Sequence, residues 1–148
     1  MQIRITVRQL LREKGPAVWT VEPDASVFDA LQLMADKNVG ALPVMRDGQL
    51  VGIFSERDYA RKVILHGHAS RETPVRAIMT ENVVTVTPDQ DLSDCMRLMT
   101  DKRIRHLPVM EGGQQVGLLS IGDVMKAVLA EQEFLISQLS DYIGGTTV

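Results

Sequence analysis

The sequence contains almost no cysteine: Cys95 is the only one in 148 residues. A lone thiol excludes an internal disulfide and suits a reducing compartment, so the cytoplasm is the expected location. No apolar run approaches the roughly 18–20 residues of a membrane span, and the start of the chain lacks the apolar core of a secretion signal. A soluble chain with no membrane partner is expected. Excess positive charge is missing too. A net charge of −3 offers no basic field to DNA or RNA and argues against a nucleic-acid partner. Also absent are a Walker phosphate loop, a Gly-x-Ser-x-Gly elbow and a dinucleotide-binding glycine fingerprint, and the three histidines have no evident nucleophile beside them, so no enzyme is expected. What remains, 45% hydrophobic and 24% charged, is ordinary globular composition. The length allows one compact unit, or two small halves sharing an interface.

One short stretch occurs twice: Ile53-Phe54-Ser55-Glu56-Arg57-Asp58 and Leu118-Leu119-Ser120-Ile121-Gly122-Asp123. In each, an apolar run ends in Ser, and an Asp three residues later precedes a helical apolar pattern, Tyr59 and Val63 or Val124 and Val128. This is a strand running into a helix, with Ser-x-x-Asp as a capping box. Such an end presents unpaired N–H groups and the positive pole of the helix dipole, which suits a phosphate. The Asp could in addition accept two hydrogen bonds from a ribose diol. Two meanings stand side by side: the pair only caps the helix, or it caps the helix and holds a nucleotide.

Adding 65 to the first-half numbers gives ungapped correspondence from Val18/Val83 to about Lys62/Ala127, including Leu42-Pro43-Val44-Met45 with Leu107-Pro108-Val109-Met110 and Val51-Gly52 with Val116-Gly117. An internal repeat of this length fixes the architecture before any single element is assigned. Val18–Val21 and Val83–Val86 read as short strands, each stopped by a proline two residues on. Ser26 and Asp91 cap helices whose apolar residues recur at helical spacing, Cys95 standing where the first copy has Ala30 and facing the core as a small apolar residue. Arg46-Asp47-Gly48-Gln49 and Glu111-Gly112-Gly113-Gln114 form tight hairpins. Each half therefore reads β-α-β-β-α, an α/β (α+β) unit. Thr6-Val7-Arg8-Gln9 opens a short N-terminal helix, and Thr73-Pro74 opens its counterpart, with Pro74 at the first helical position. These two segments align at an offset of 68, so the connection after the first is three residues longer. The halves divide as 1–69 and 70–148. His66 and His68 in the linker lack further ligands of recognised spacing, so no metal is expected. The last helix runs to about Tyr142, where Gly144-Gly145 stops it; its apolar side packs on another subunit or back on its own module.

These residues resemble the CBS domain family, whose members pair in tandem as Bateman modules, and the resemblance spans nearly the whole chain. It implies two halves related by a pseudo-twofold axis, with two clefts that take an adenine nucleotide: AMP, ADP, ATP or NADH. Asp58 and Asp123 would hold ribose, beside Ser55 and Ser120. Arg57, Arg105 and His106 match family positions that contact phosphate, where the other copy has Gly122 or Gly40-Ala41. Thr80 matches a family Thr near base and ribose, whereas the first connection carries Lys14-Gly15-Pro16. The two clefts should differ in affinity. A homodimer and an unidentified partner protein, with the chain sensing energy or redox state, complete what the resemblance implies.

Overall fold

The computed structural model describes residues 4–65, 67 and 69–146. Its elements are α1 (Val7–Lys14), α2 (Val27–Lys37), β1 (Ala41–Arg46), β2 (Gln49–Ser55), α3 (Glu56–Asp58) continuing as a π-helix (Tyr59–Ile64), a 3-10 turn (Val75–Ala77), α4 (Leu92–Lys102), β3 (His106–Glu111), β4 (Gln114–Ser120) and α5 (Ile121–Thr146). This is the mixed α/β fold expected from the repeat, with one antiparallel hairpin per half. Both hairpins turn on two residues of positive φ, Asp47 and Gly48 or Gly112 and Gly113, the requirement of a two-residue type I′ loop. Each carries a bulge at the same place, Val44/Met45 and Val109/Met110.

The strands expected at Val18–Val21 and Val83–Val86 are each reduced to one parallel bridge, Val21 with Val44 and Val86 with Val109. Proline explains why. Val21 donates to the Pro43 carbonyl and accepts from Met45 N–H; the next bond in one direction needs an N–H on Pro43, and in the other an N–H on Pro23. Pro108 and Pro88 limit Val86 in the same way. Three further expectations are corrected. Asp91 occupies the N-cap of α4 without a side-chain cap bond. Pro74 precedes a single 3-10 turn, not a helix. Finally, α5 continues through Gly144-Gly145 to Thr146.

Two hydrophobic cores form, and they exchange their lead-in segments. The first joins Val27, Ala30, Met34, Leu42, Val44, Phe54 and Val63 to Val75 and Ile78. The second joins Val86, Leu92, Cys95, Met99, Leu107, Leu119 and Val124 to Val7 and Leu10 of α1. Backbone bonds fasten each exchange: Val7 and Arg8 donate to Gln90 and Pro88, and Val75 and Arg76 to Ala25 and Pro23. Gly117 leaves room for Leu11 and Gly52 for Met79; a Cβ at either glycine would stand 2.6 Å from that neighbour's side chain. The 68-residue offset between the lead-in segments is therefore visible in packing. Each sits on the hairpin of the half it does not precede.

Candidate functional site

Both helix starts carry the reciprocal cap that their sequence specifies. Ser55 Oγ accepts from the Asp58 N–H at 3.1 Å, and Asp58 Oδ2 accepts from the Ser55 N–H at 3.0 Å. The corresponding distances at Ser120 and Asp123 are 3.0 Å and 3.0 Å. Up to this point the halves are equivalent.

Beyond the caps they diverge. Asp58 Oδ1 receives Lys62 Nζ at 3.2 Å and Thr80 Oγ1 at 3.4 Å, so both of its oxygens are engaged. Thr80 is held there by two backbone bonds with Ile53, each 2.9 Å, which seal the outer edge of β2. Leu118 occupies the place of Ile53 in β4, opposite Pro108 as Ile53 is opposite Pro43, so its N–H and C=O also face outward. Among the described residues no backbone group pairs with Leu118 on that edge. Instead Lys14 Nζ donates to the Leu118 carbonyl at 2.7 Å and to Asp123 Oδ2 at 2.6 Å. Asp123 Oδ1 accepts no hydrogen bond among the described residues.

The longer connection after α1 produces this difference. It carries the chain away from β4 and leaves a cavity of about 290 Å³ lined by Leu11, Lys14, Val18, Trp19, Val39 and Leu118, among others. That volume lies near the lower end of small-molecule sites, roughly 300–1,000 Å³. Trp19, the only tryptophan, stands at its wall with Lys37 Nζ 4.3 Å from the ring centroid, a cation–π pair. A larger depression of about 330 Å³ beside Arg8, Arg12 and Glu111 includes no residue bonded to either carboxylate.

Electrostatics set the second site apart as well. Burial would raise the Asp123 pKa, but the Lys14 ammonium and the Ser120 bonds outweigh it and hold the carboxyl below its ordinary value. His106 is held below its ordinary value by burial first and then by the Lys14 charge, with Asp123 opposing and Arg105 adding to the repulsion. Its imidazole lies 3.5 Å from where a side chain on Gly40 would begin. Burial and the neighbouring positive charges thus favour the neutral imidazole.

The structure brings Ser55, Asp58 and Thr80 together in one group, and Ser120, Asp123 and His106 in another with Arg105 in electrostatic reach. The Arg105 side chain is exposed, and its carbonyl accepts the Ile121 N–H at 2.8 Å, fixing the start of α5. Arg57 stands apart from Asp58 and reaches across to the Arg103 carbonyl at 3.5 Å. Sequence reasoning missed Lys14, Lys62 and Trp19. Only Lys62 had a local signal, its i,i+4 spacing from Asp58. Cys95 is buried, and burial first, with Asp94 next, pushes its thiol up to about 11, so it is unreactive. Among the described residues no group of three or more His, Cys, Asp or Glu side chains could hold a metal, and no helix is long and apolar enough to cross a membrane. His66 and His68 lie outside the described residues.

Two hairpin-and-helix units, each ending in a Ser-x-x-Asp helix start, with their lead-in segments exchanged, define a tandem-repeat module with a cavity between its halves beside β4. The CBS domain model matches residues 6–65 and 75–130, and the chain belongs to that family. CBS-pair proteins are commonly regulatory and often bind nucleotides. The chain is similar to the mitochondrial CBS domain-containing protein CBSX3 of Arabidopsis thaliana, 41% identical over 95% of this chain and 72% of that one. A solved CBS-domain protein from Burkholderia ambifaria is 47% identical, with a TM-score of 0.83 over 86% of this chain and 96% of its own. The hexameric CBS-CP12 protein of bloom-forming cyanobacteria is 28% identical, with a TM-score of 0.74 over 84% of this chain and 71% of its own.

Proposed function

We propose that this chain is a regulatory adenine-nucleotide sensor that loads one cleft, the one at Asp123. The observation that carries it is the coincidence, at one edge of β4, of a cavity, an outward Leu118 backbone pair and, joined to that cavity through Lys14, a carboxylate with one oxygen that accepts no bond among the described residues. The N–H and C=O of Leu118 complement the acceptor and donor edge of adenine, Val18, Val39 and Trp19 supply apolar walls, and Asp123 takes the ribose diol. Ser120 positions the carboxylate, while His106 and Arg105 stand nearby as phosphate donors. AMP, ADP, ATP or NADH meets this chemistry; no metal is needed.

The other half supports a structural assignment. Asp58 is only 13% exposed at its side chain and already bonded through both oxygens, so Ser55, Asp58 and Thr80 form a closed cap. Arg57 reaches from one half to the Arg103 carbonyl of the other, and stays a candidate for phosphate contact. In the chain, the first repeat runs to residue 69 and the second begins at residue 70.

A ligand touching Val39 of one half and Leu118 of the other changes the relation of the halves, which a partner protein reads as energy or redox state. Exposed Ile64, Leu65, Met125 and Leu129 near the two helix starts supply a face for a homodimer. Its one cysteine, free and buried, fits the cytoplasm or another reducing compartment.

Trp19 fluorescence and thermal melting with a nucleotide panel test the proposal. At a ligand concentration 100 times Kd the gain is about 2.7 kcal/mol, or roughly 5–10 °C for a chain of this size. Silence of both signals at millimolar adenine nucleotide leaves an empty interaction module as the better account.

A further inference from the structure

We infer that Lys14 makes the Asp123 cleft selective for phosphorylated nucleosides, because its ammonium must leave Asp123 when a ribose arrives and only a phosphate offers it a new partner. The inference rests on adenine-nucleotide binding at that cleft.

A vicinal diol grips a carboxylate best through both oxygens. Asp123 Oδ2 is engaged by the Ser120 N–H at 3.0 Å and by Lys14 at 2.6 Å. The backbone bond belongs to the helix cap, so the ammonium is the group that gives way. It cannot go far. Lys14 is the last residue of α1, and α1 is anchored by buried Val7 and Leu10 and by Leu11 against Gly117. The displaced ammonium stays at the cavity wall, where Lys37 already stands. Once the diol takes Asp123, two cations face one engaged carboxylate, and the neighbouring His106 and Arg105 add no negative charge. An anion restores the balance. Lys14 also donates to the Leu118 carbonyl at 2.7 Å, which the adenine base takes in the proposed pose, so a bare nucleoside claims both acceptors of the ammonium, whereas a nucleotide returns a charge-assisted bond in exchange. Lys14 is thus a specificity residue and, through α1, a mechanical link from ligand to core.

The experiment is calorimetric titration of adenosine and of AMP into the full chain and into Lys14→Met and Lys14→Arg, each variant first checked by circular dichroism and thermal melting. In the unsubstituted protein AMP should bind about 10- to 100-fold tighter than adenosine, the range of a hydrogen bond to a charged group. Lys14→Met should bring the two within about threefold, AMP weakening and adenosine tightening as Asp123 is freed. Lys14→Arg should keep most of the preference. Equal binding of adenosine and AMP to the unsubstituted chain, or an unaltered ratio in Lys14→Met, overturns the inference and leaves the nucleotide site standing. Binding of neither compound removes the site and the inference together.

Discussion

Leu10→Ala is a stringent test of the exchanged cores. Leu10 lies near the start of the chain, yet it is 5% exposed and packs with Val86, Leu92 and Leu107 of the other half, the first of them 76 residues later. Leucine-to-alanine changes in cores cost about 2–5 kcal/mol. An eight-residue helix at the rim of its core can settle inward, so the loss should fall in the lower part of that range, about 2–3 kcal/mol. Urea denaturation measures the total. Hydrogen exchange by mass spectrometry locates it: amides of α4, β3 and β4 should lose protection first, while those of α2, β1 and β2 keep theirs. Ile78→Ala, 4% exposed and packed in the other core, should show the mirror image. If Leu10→Ala instead loosens residues 27–63 and spares 86–128, the exchange of lead-in segments is wrong.

Asp58→Ala and Asp123→Ala should each lose about 1 kcal/mol as cap variants, but only Asp123→Ala should also lose the nucleotide-induced rise in melting temperature. Stability should fall in two steps on acidification. His106, held below its ordinary value of 6.5, binds fewer protons folded than unfolded, so its contribution is complete above that pH and declines as pH drops through it. Asp123, held below 3.8, contributes fully above that value and loses its share only at lower pH; in melting curves from pH 3 to 8, His106→Gln should remove the upper step alone. Arg103 ends α4 in the left-handed region at φ 55, where a side chain is strained; Arg103→Gly should stabilise by about 0.5–1 kcal/mol, and a loss of stability in urea would show that its side chain matters more than its backbone.

Whatever depends on neighbours within a few residues was legible before any coordinates. The Ser55 and Ser120 capping boxes, the Thr6–Gln9 box and both type I′ hairpins follow from short spacing, and the buried Ala30/Cys95 equivalence follows from the 65-residue repeat. Loss of the outer strands was legible in principle, since Pro23, Pro43, Pro88 and Pro108 are the reason, but it requires knowing which edge of Pro43 faces Val21. Lys14 was out of reach. Its partner Asp123 is 109 residues away, and nothing local distinguishes it from a solvated lysine at a helix end. The π-helical Tyr59–Ile64 is equally hidden, because the matching segment of α5 winds as an ordinary helix on a similar apolar pattern.

Exchange of the lead-in segments also explains why two nearly identical half-sites diverge. The segment each half contributes to the other helps to close the carboxylate there: Thr80, beside Lys62, with its backbone at Ile53, and Lys14 with only its side chain at Leu118. A backbone bridge cannot be displaced without unpairing a strand edge, whereas an ammonium on a flexible stem can swing aside. The duplication thus leaves one cleft shut by main chain and one shut by a movable charge. In the proposed pose, a ligand at the second would span Val18, Trp19 and Val39 of the first repeat and Leu118 of the second, and reach Asp123 beside Lys14. It can shift the relation of the halves only by its differential affinity for their arrangements. On the proposed reading, the Lys14–Asp123 contact is the one that a bound nucleotide exchanges, and it would separate those arrangements.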